Sequence, residues 1–183
     1  MLDAAKRCCE RWGVQKVTID DIATDAGVSR ATLYRLFPGG KDVLFDALRL
    51  RELEDFFTRM SADIDGHADL ETLLVRMVVA ATRELRDDRH LALMLAAEPG
   101  ETLSQLTVAG IPRIVSVASQ FLVPLVEQYL PRRQSVQIVE VLSRLVISYF
   151  LAPSDVVDFG DRASAQHFVR PFLPANTPVL PRS

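Results

Sequence analysis

Two short helices joined by a glycine turn are predicted by one stretch near the N-terminus, residues 18–41, which reads TIDDIATDAGVSRATLYRLFPGGK. Thr18 and Ser29 each precede a helical pattern, and hydroxyl side chains at such positions cap the free N–H groups of a first helical turn. Gly27 lies between the two patterns, where glycine readily adopts the left-handed backbone that ends a helix. The stretch therefore predicts a helix-turn-helix motif over residues 18–37.

The second helix of such a motif lies in the major groove of DNA with its N-terminal residues toward the bases. Arg30 can donate to a guanine edge there, and the methyl groups of Ala31 and Thr32 can contact a thymine methyl. Neighbouring polar side chains can reach phosphates. The predicted DNA-binding residues are Thr18, Ser29, Arg30, Ala31, Thr32, Tyr34, Arg35 and Lys41. A plain helical hairpin within a larger all-α core is the alternative.

The same stretch resembles the DNA-binding domain of the TetR family of bacterial transcriptional regulators. The family pattern T-(I/V)-x-x-I-A-x-x-A-G-V-S-x-x-T-L-Y-x-x-F-x-x-x-K is matched here by Thr18, Ile19, Ile22, Ala23, Ala26, Gly27, Val28, Ser29, Thr32, Leu33, Tyr34, Phe37 and Lys41. The resemblance implies that residues 1–48 form a three-helix DNA-binding domain. It further implies a larger C-terminal helical domain, residues 49–172, for effector binding and dimerisation.

The net charge of −3 is divided unevenly along the chain, with +1 in residues 1–50 and −4 in residues 51–183. A general basic field is therefore absent. DNA affinity must come from the local placement of Arg30, Arg35 and Lys41.

Metal-ligand spacing and catalytic motifs are both missing from the sequence. Cys8 and Cys9 are adjacent, which favours packing in a reduced compartment over a disulfide. His67, His90 and His167 are scattered without partners. The sequence shows no signal peptide and no long apolar run. We therefore expect a cytoplasmic protein that is neither an enzyme nor a membrane protein and that uses no cofactor.

After residue 48, apolar residues recur at helical spacing and no strand pattern occurs, so the predicted fold class is all-α. Residues 173–183 are rich in proline and are expected to form an extended tail. Pro124 falls inside a predicted helix and should bend it.

That bent helix carries apolar residues nearly all round, so it must be buried on several sides. Periodicity alone cannot distinguish a filled core from a ligand cavity. The family resemblance favours a cavity for a small hydrophobic effector. Its expected lining is Met77, Ala81, Leu93, Met94, Leu106, Ile114, Ala118, Phe121 and Leu125.

The resemblance also implies that the last two long helices meet their copies in a homodimer. One helix-turn-helix covers one half-site, and tight binding usually needs two half-sites about one helical turn apart. Packing within the chain is the alternative. The expected interface residues are Ile138, Leu142, Leu145, Val146, Phe168 and Phe172.

These expectations describe a ligand-responsive regulator, a repressor that a small apolar effector releases from a palindromic double-stranded DNA operator. An effector-independent architectural DNA-binding protein is one alternative. An all-α small-molecule-binding protein or enzyme is another.

Overall fold

The computed structural model describes residues 1–64, 68–88, 91–92, 95, 100 and 110–173, and every regular element within them is helical. The predicted all-α fold is thereby confirmed. Beyond Leu173, the predicted tail lies outside the described residues. The elements are α1 (Leu2–Trp12), α2 (Ile19–Asp25), α3 (Arg30–Leu36), α4 (Lys41–Ile64), α5 (Leu70–Asp87), α6 (Ile111–Val126), α7 (Arg132–Leu151), α8 (Arg162–Val169) and a 3-10 turn (Arg170–Phe172).

Among the described residues, the chain divides into two compact units, of which the first contains residues 1–55, 91–92, 95 and 100 and the second contains residues 56–64, 68–88 and 110–173. The division falls inside α4, as does the predicted boundary after residue 48. In sequence, α4 therefore contributes to both units.

The first unit has a small core formed by α1, α2, α3 and the first half of α4. Cys8 and Cys9 are free thiols within this core. Burial is the main cause that raises the pKa of the Cys8 thiol, so this cysteine is a packing residue and a poor nucleophile. The buried cluster comprises Ala4, Ala5, Cys8, Cys9, Val17, Ile19, Ile22, Ala23, Leu33, Leu44, Phe45 and Leu48.

The second unit is built from the end of α4 and from α5, α6, α7 and α8. Helix α6 packs along α7, and α5 packs against α7 and α8. Apolar residues lie on nearly all sides of α6, and more than one of these sides is packed against other helices. Val117, Leu122 and Val126 are buried, and Phe121 stacks on Phe57 of α4 with ring centroids 5.7 Å apart.

Polar and aromatic contacts attach α8 to the rest of the second unit. Glu71 of α5 accepts hydrogen bonds from Gln166 Nε2 (2.6 Å) and Arg170 Nε (3.0 Å). These two bonds lower the pKa of the Glu71 carboxyl below its usual range. Phe168 packs edge-to-face on Phe159, with ring centroids 4.9 Å apart. The C-terminal helix is therefore an integral part of this unit.

No helix in the described part of the chain is both long and apolar enough to cross a membrane.

Candidate nucleic-acid interface

A reciprocal capping box begins α2. The Asp21 N–H donates to Thr18 Oγ1 (3.2 Å), and the Thr18 N–H donates to Asp21 Oδ2 (2.9 Å). The Thr18 hydroxyl also donates to the same carboxylate oxygen at 2.6 Å. These bonds lower the pKa of the Asp21 carboxyl. Two otherwise unpaired N–H groups are satisfied, which defines where α2 starts.

The turn between α2 and α3 is a Schellman motif. Gly27 has a φ of +66°. The Val28 N–H donates to the Ala23 carbonyl (3.0 Å), and the Gly27 N–H donates to the Thr24 carbonyl (3.1 Å). A Cβ on residue 27 would meet nothing within 4 Å. Glycine is therefore needed here for its backbone conformation and not for space.

A second cap and one buried leucine orient α3. The Thr32 N–H donates to Ser29 Oγ at 3.1 Å, and the two hydroxyl oxygens lie 3.0 Å apart. Leu33 is completely buried, so it anchors the opposite side of this short helix. The predicted base-contacting residues Arg30 and Ala31 are consequently exposed, and Thr32 is half-buried.

Arg30 is held by an acidic residue of the preceding helix that sequence reasoning missed. Its Nη1 lies 3.1 Å from Asp20 Oδ2, and both side chains are largely exposed. The guanidinium also lies over the Tyr34 ring, 5.6 Å from its centroid. A hydrogen bond to Tyr34 and the charge of Asp20 raise the pKa of Arg30. The sequence did contain one signal for this pair: α2 and α3 are joined by a short turn, and both helices begin with polar residues.

Tyr34 rests against the glycine turn that precedes α4. A Cβ placed on Gly40 would lie 3.1 Å from Tyr34 Cε1, and Gly40 has a φ of +69°. A side chain at residue 40 would therefore be strained and would press on the tyrosine ring. Tyr34 is 41% exposed, so it is positioned by this turn while its surface is available to a phosphate.

Lys41 has partners inside the protein that its predicted phosphate role did not include. Its Nζ donates to the carbonyl oxygens of Val14 (2.9 Å) and Gln15 (3.4 Å) and lies 5.4 Å from the Phe45 ring centroid. The side chain thus fastens the loop before α2 to the start of α4. Phosphate binding by Lys41 stays a prediction, with one ammonium N–H not used by these two bonds.

Two basic side chains near the motif are unpaired within the described residues. Arg35 of α3, which was predicted to contact DNA, and Lys16, which was not, are both exposed. Lys16 stands two residues before the Thr18 cap. A positive charge two residues before the first cap was the signal for including Lys16 among the phosphate-binding candidates.

The predicted effector residues that the structure describes all belong to the second unit. Met77 is buried, and Ala118 is completely buried. Leu93, Met94 and Leu106 lie outside the described residues. The lining as a whole therefore stays a prediction. Its half-buried members are Ala81, Ile114, Phe121 and Leu125.

The predicted dimer residues fall into two groups. Leu142 and Val146 are buried within the single chain, because α7 turns this side toward its own neighbours. Ile138, Leu145 and Phe168 are half-buried, and Phe172 is exposed.

The outward side of α7 carries apolar residues that sequence reasoning missed. Val136 and Val141 are both exposed. Ile138, Val141 and Phe172 line an apolar cleft of about 210 Å³ together with Gln137 and Leu142. The spacing of residues 138, 141 and 145 along one helical face was the signal for the outward side.

Comparison with known proteins agrees with this geometry. The family model described as bacterial regulatory proteins, tetR family, matches residues 1–48, which include the capped helices, the glycine turn and Arg30. The N-terminal domain of the chain therefore belongs to the TetR family.

Two relatives of this chain are helix-turn-helix-type transcriptional regulators whose names mark them as uncharacterized. One, from Mycobacterium tuberculosis, is 31% identical over 127 residues, covering 66% of this chain and 65% of the relative. The other, from Mycobacterium bovis, is 28% identical over 128 residues with the same coverage. The match therefore spans just under two thirds of the length of these relatives.

Solved structures share the fold over more than nine tenths of the chain. The TetR family repressor AlkX from a Dietzia strain, implicated in biodegradation of n-alkanes, has a TM-score of 0.69 and 24% identity, covering 93% of this chain and 91% of its own. The multidrug binding protein EbrR, solved with imidazole, has a TM-score of 0.64 and 19% identity, covering 96% and 88%. At these identities the likeness shows the fold alone.

Within the described residues of this chain, no three His, Cys, Asp or Glu side chains converge as metal ligands would. The side chains brought together at the N-terminal surface are instead a guanidinium, a phenol, hydroxyls and a methyl group. This set suits hydrogen bonding to base edges and phosphates.

Proposed function

We propose that this TetR-family protein is a transcriptional repressor that binds a palindromic double-stranded DNA operator as a homodimer and is released by a small apolar effector. The observation that carries the proposal is the exposed N-terminal face of α3. It is held in place by the Ser29 cap, the Gly27 turn and the buried Leu33. We place the protein in the cytoplasm, where its DNA is, and assign it no enzymatic step and no cofactor.

Base recognition falls to Arg30 in this proposal. Its guanidinium exchanges the exposed Asp20 carboxylate for the O6 and N7 acceptors of a guanine. An exposed ion pair contributes only about 0–1 kcal/mol, so the exchange costs little. Ala31 supplies an apolar contact to a thymine methyl. Tyr34 and Arg35, both exposed, supply phosphate contacts that set the position of the helix in the groove.

Dimerisation through the outward side of α7 is supported by the apolar residues exposed there. Ile138, Val141 and Leu145 follow one helical face, and Phe172 of the 3-10 turn borders the same cleft. A second copy of this face would remove the apolar side chains from water. Two-fold symmetry then places two α3 helices on two half-sites, which matches a palindromic operator.

An apolar effector is supported by the composition of the second unit. The α6 sequence is IPRIVSVASQFLVPLV, which contains one charged residue, and the aromatic rings of Phe57 and Phe121 stack beside it. Two proteins of the same fold are associated with lipophilic molecules. AlkX is implicated in the biodegradation of n-alkanes, and the regulator FadR from Bacillus subtilis was solved in complex with stearoyl-CoA. We infer that a long-chain lipophile is the effector class.

Release of DNA requires that the effector and the operator prefer different conformations of the protein. Helix α4 contributes Lys41 and Leu44 to the first unit and Phe57 and Met60 to the second. We propose that α4 carries the coupling between them. The coupling is a free energy and is reciprocal, so operator DNA must weaken effector binding by the same factor.

The test begins with selection of duplexes from a random DNA library by the purified protein. Fluorescence anisotropy then measures operator affinity with and without stearate as the lipophilic probe. We expect enrichment of a palindrome and release by the probe. Selection of no sequence over bulk DNA would reject sequence-specific binding. An operator that no lipophile releases would favour the architectural alternative.

Ala118→Phe tests the location of the effector. Ala118 is completely buried in the middle of α6, and a phenyl ring there would fill space that the effector needs. We expect this variant to retain operator binding and to lose release by stearate. Overpacking of a filled core costs typically about 1–3 kcal/mol. A variant that melts earlier and still responds to stearate would show that the site lies elsewhere.

A further inference from the structure

Three arginines line one cleft on the second unit, away from the outward side of α7. The cleft has a volume of about 330 Å³. Arg76 and Arg83 come from α5, Arg162 is the first residue of α8, and Asp63 comes from the end of α4. Val75 and Val79 contribute apolar surface between the charged groups. Groups from three helices therefore converge on one space.

The arginines are positioned by the fold of the loop before α8. Arg83 Nε donates to the Gly160 carbonyl at 3.2 Å. Arg86, one helical turn further along α5, forms a 2.8 Å ion pair with Asp158. These two contacts attach the loop to α5, and α8 begins directly after it. The position of Arg162 opposite Arg83 is therefore set by contacts that do not use the Arg162 side chain.

The carboxylates near the cleft are mostly occupied elsewhere. Asp158 pairs with Arg86, and this hydrogen-bonded pair is the main cause that lowers the pKa of the Asp158 carboxyl, with a smaller contribution from the charge of Arg83. Glu84 accepts from Arg59 at 3.0 Å, and Asp161 caps the Ser164 N–H. Of the described lining residues, only Asp63 is acidic. The cleft therefore carries an excess of positive charge in a chain whose net charge is −3.

Unused hydrogen-bond donors accompany this charge. In the described part of the chain, the Arg162 side chain makes no hydrogen bond or ion pair, and the Gly160 contact uses only the Nε of Arg83. A guanidinium presents its donors as a planar fork that matches a phosphate or carboxylate in two-point contact. Like charges facing a shared space repel, and a bound anion relieves that repulsion.

We propose that this cleft binds a small oxyanion, a phosphate or carboxylate group, with Arg83 and Arg162 as the main ligands and Arg76 as a third positive charge. The apolar surface of Val75 and Val79 accommodates a short hydrocarbon portion of the same molecule. This site is separate from the apolar effector site proposed above and does not depend on DNA binding.

Isothermal titration calorimetry of the full chain at low ionic strength tests the proposal. Inorganic pyrophosphate is the probe in one titration and succinate in the other, which distinguishes phosphate from carboxylate chemistry. We expect one site per chain for at least one probe. Arg162→Gln should weaken it by up to about fivefold, the scale of one lost charge pair near a surface. Asp63→Asn should strengthen it, because the competing carboxylate charge is removed.

Two matched variants control for binding elsewhere. Arg133→Gln removes an exposed arginine from α7, and Arg11→Gln removes one from α1. Both should leave the probe affinity unchanged, and circular dichroism should show that every variant keeps its helical content. Equal weakening by all three arginine variants would mean diffuse attraction to a basic surface and would overturn the proposal. So would weaker binding by Asp63→Asn, or no binding of either probe.

Discussion

The helix-turn-helix of the first unit is organised by hydrogen bonds between residues three to five positions apart, whereas helices of the second unit are joined by contacts between residues far apart in the chain. Thr18 bonds Asp21, and Ser29 bonds Thr32. In the second unit, Phe57 stacks on Phe121. Glu71 and Gln166 are 95 residues apart in sequence and bond at 2.6 Å.

This difference explains why the DNA-binding surface can be assigned residue by residue and the effector and dimer surfaces cannot. Caps and a left-handed glycine restrict a few residues to a few conformations. Apolar periodicity indicates only that one face of a helix is buried. It does not indicate whether the same chain, a second copy or a ligand buries that face. The two units should therefore respond differently to substitution, and four experiments examine this.

The largest effect is expected when the outward apolar face of α7 is charged. Val141→Glu buries a carboxylate at the proposed dimer contact, where an unpaired charge is strongly disfavoured. The monomer should bind operator about 10²-fold or more weakly, because two linked half-site contacts become one. Sedimentation velocity measures the dimer, and anisotropy measures the affinity.

Val156→Glu is the matched control for Val141→Glu. Val156 is 89% exposed in the loop before α8, outside the α7 face, so its variant should remain a dimer. Dimer dissociation by both variants, or by neither, would move the interface away from the outward side of α7.

Stability of the first unit should depend on one leucine of α3 and not on its neighbour. Leu33→Ala removes a completely buried side chain, which costs about 2–5 kcal/mol. Leu36→Ala, three residues later and 55% exposed, should change stability by less than about 0.5 kcal/mol. Urea unfolding followed by the fluorescence of Trp12, the single tryptophan, reports on this unit. Similar losses for both leucines would contradict the described orientation of α3.

Sequence discrimination should depend on Arg30 more than on Arg35. Arg30→Ala should cost about 1–3 kcal/mol of operator affinity and relax the preference at one base pair in each half-site. Arg35→Ala should weaken all duplexes alike and reduce the salt dependence. Anisotropy with operator and single-base variants, at several salt concentrations, distinguishes the two. An unchanged base preference in Arg30→Ala would show that Arg30 does not contact a base edge.

The smallest effect is expected at Asp20. Asp20→Asn removes the carboxylate that pairs with Arg30 and repels nearby phosphates. Affinity for non-operator DNA should rise by a few-fold, within the range of one exposed ion pair, about 0.2–1 kcal/mol. The ratio of operator affinity to non-operator affinity should fall accordingly.

The matched control for Asp20→Asn lies on the same helix. Asp25 of α2 pairs with Arg7 of α1 at 2.6 Å and does not pair with Arg30. Asp25→Asn should therefore leave discrimination unchanged. If both variants raise non-operator binding equally, only net charge matters and the Asp20–Arg30 pair has no special role.

Local signals were sufficient for much of the fold. The motif predicted over residues 18–37 contains α2 and α3 as observed, Ile19–Asp25 and Arg30–Leu36, and the glycine turn between them was recognised from its neighbours alone. Each of these depends on the identity of residues within a few positions, where a cap, a proline or a glycine ends a helix.

Relations between distant residues could not be obtained in this way. The sequence did not indicate that Lys41 bonds the carbonyl of Val14 or that Arg30 pairs with Asp20, ten residues earlier. Both contacts depend on the angle between two helices, and the spacing of apolar residues along a helix does not indicate that angle.

What the sequence by itself determined is the set of helices, the helix-turn-helix and its position at residues 18–37. Only the tertiary structure decided that Leu142 faces inward while Val141 faces solvent, and that arginines of α5 and α8 share one cleft with Asp63. The physical reason is the separation along the chain over which each kind of interaction acts. Backbone hydrogen bonding and capping act within one or two turns of chain, whereas a surface or a cleft is assembled from elements whose order in sequence says nothing about which of their sides will meet.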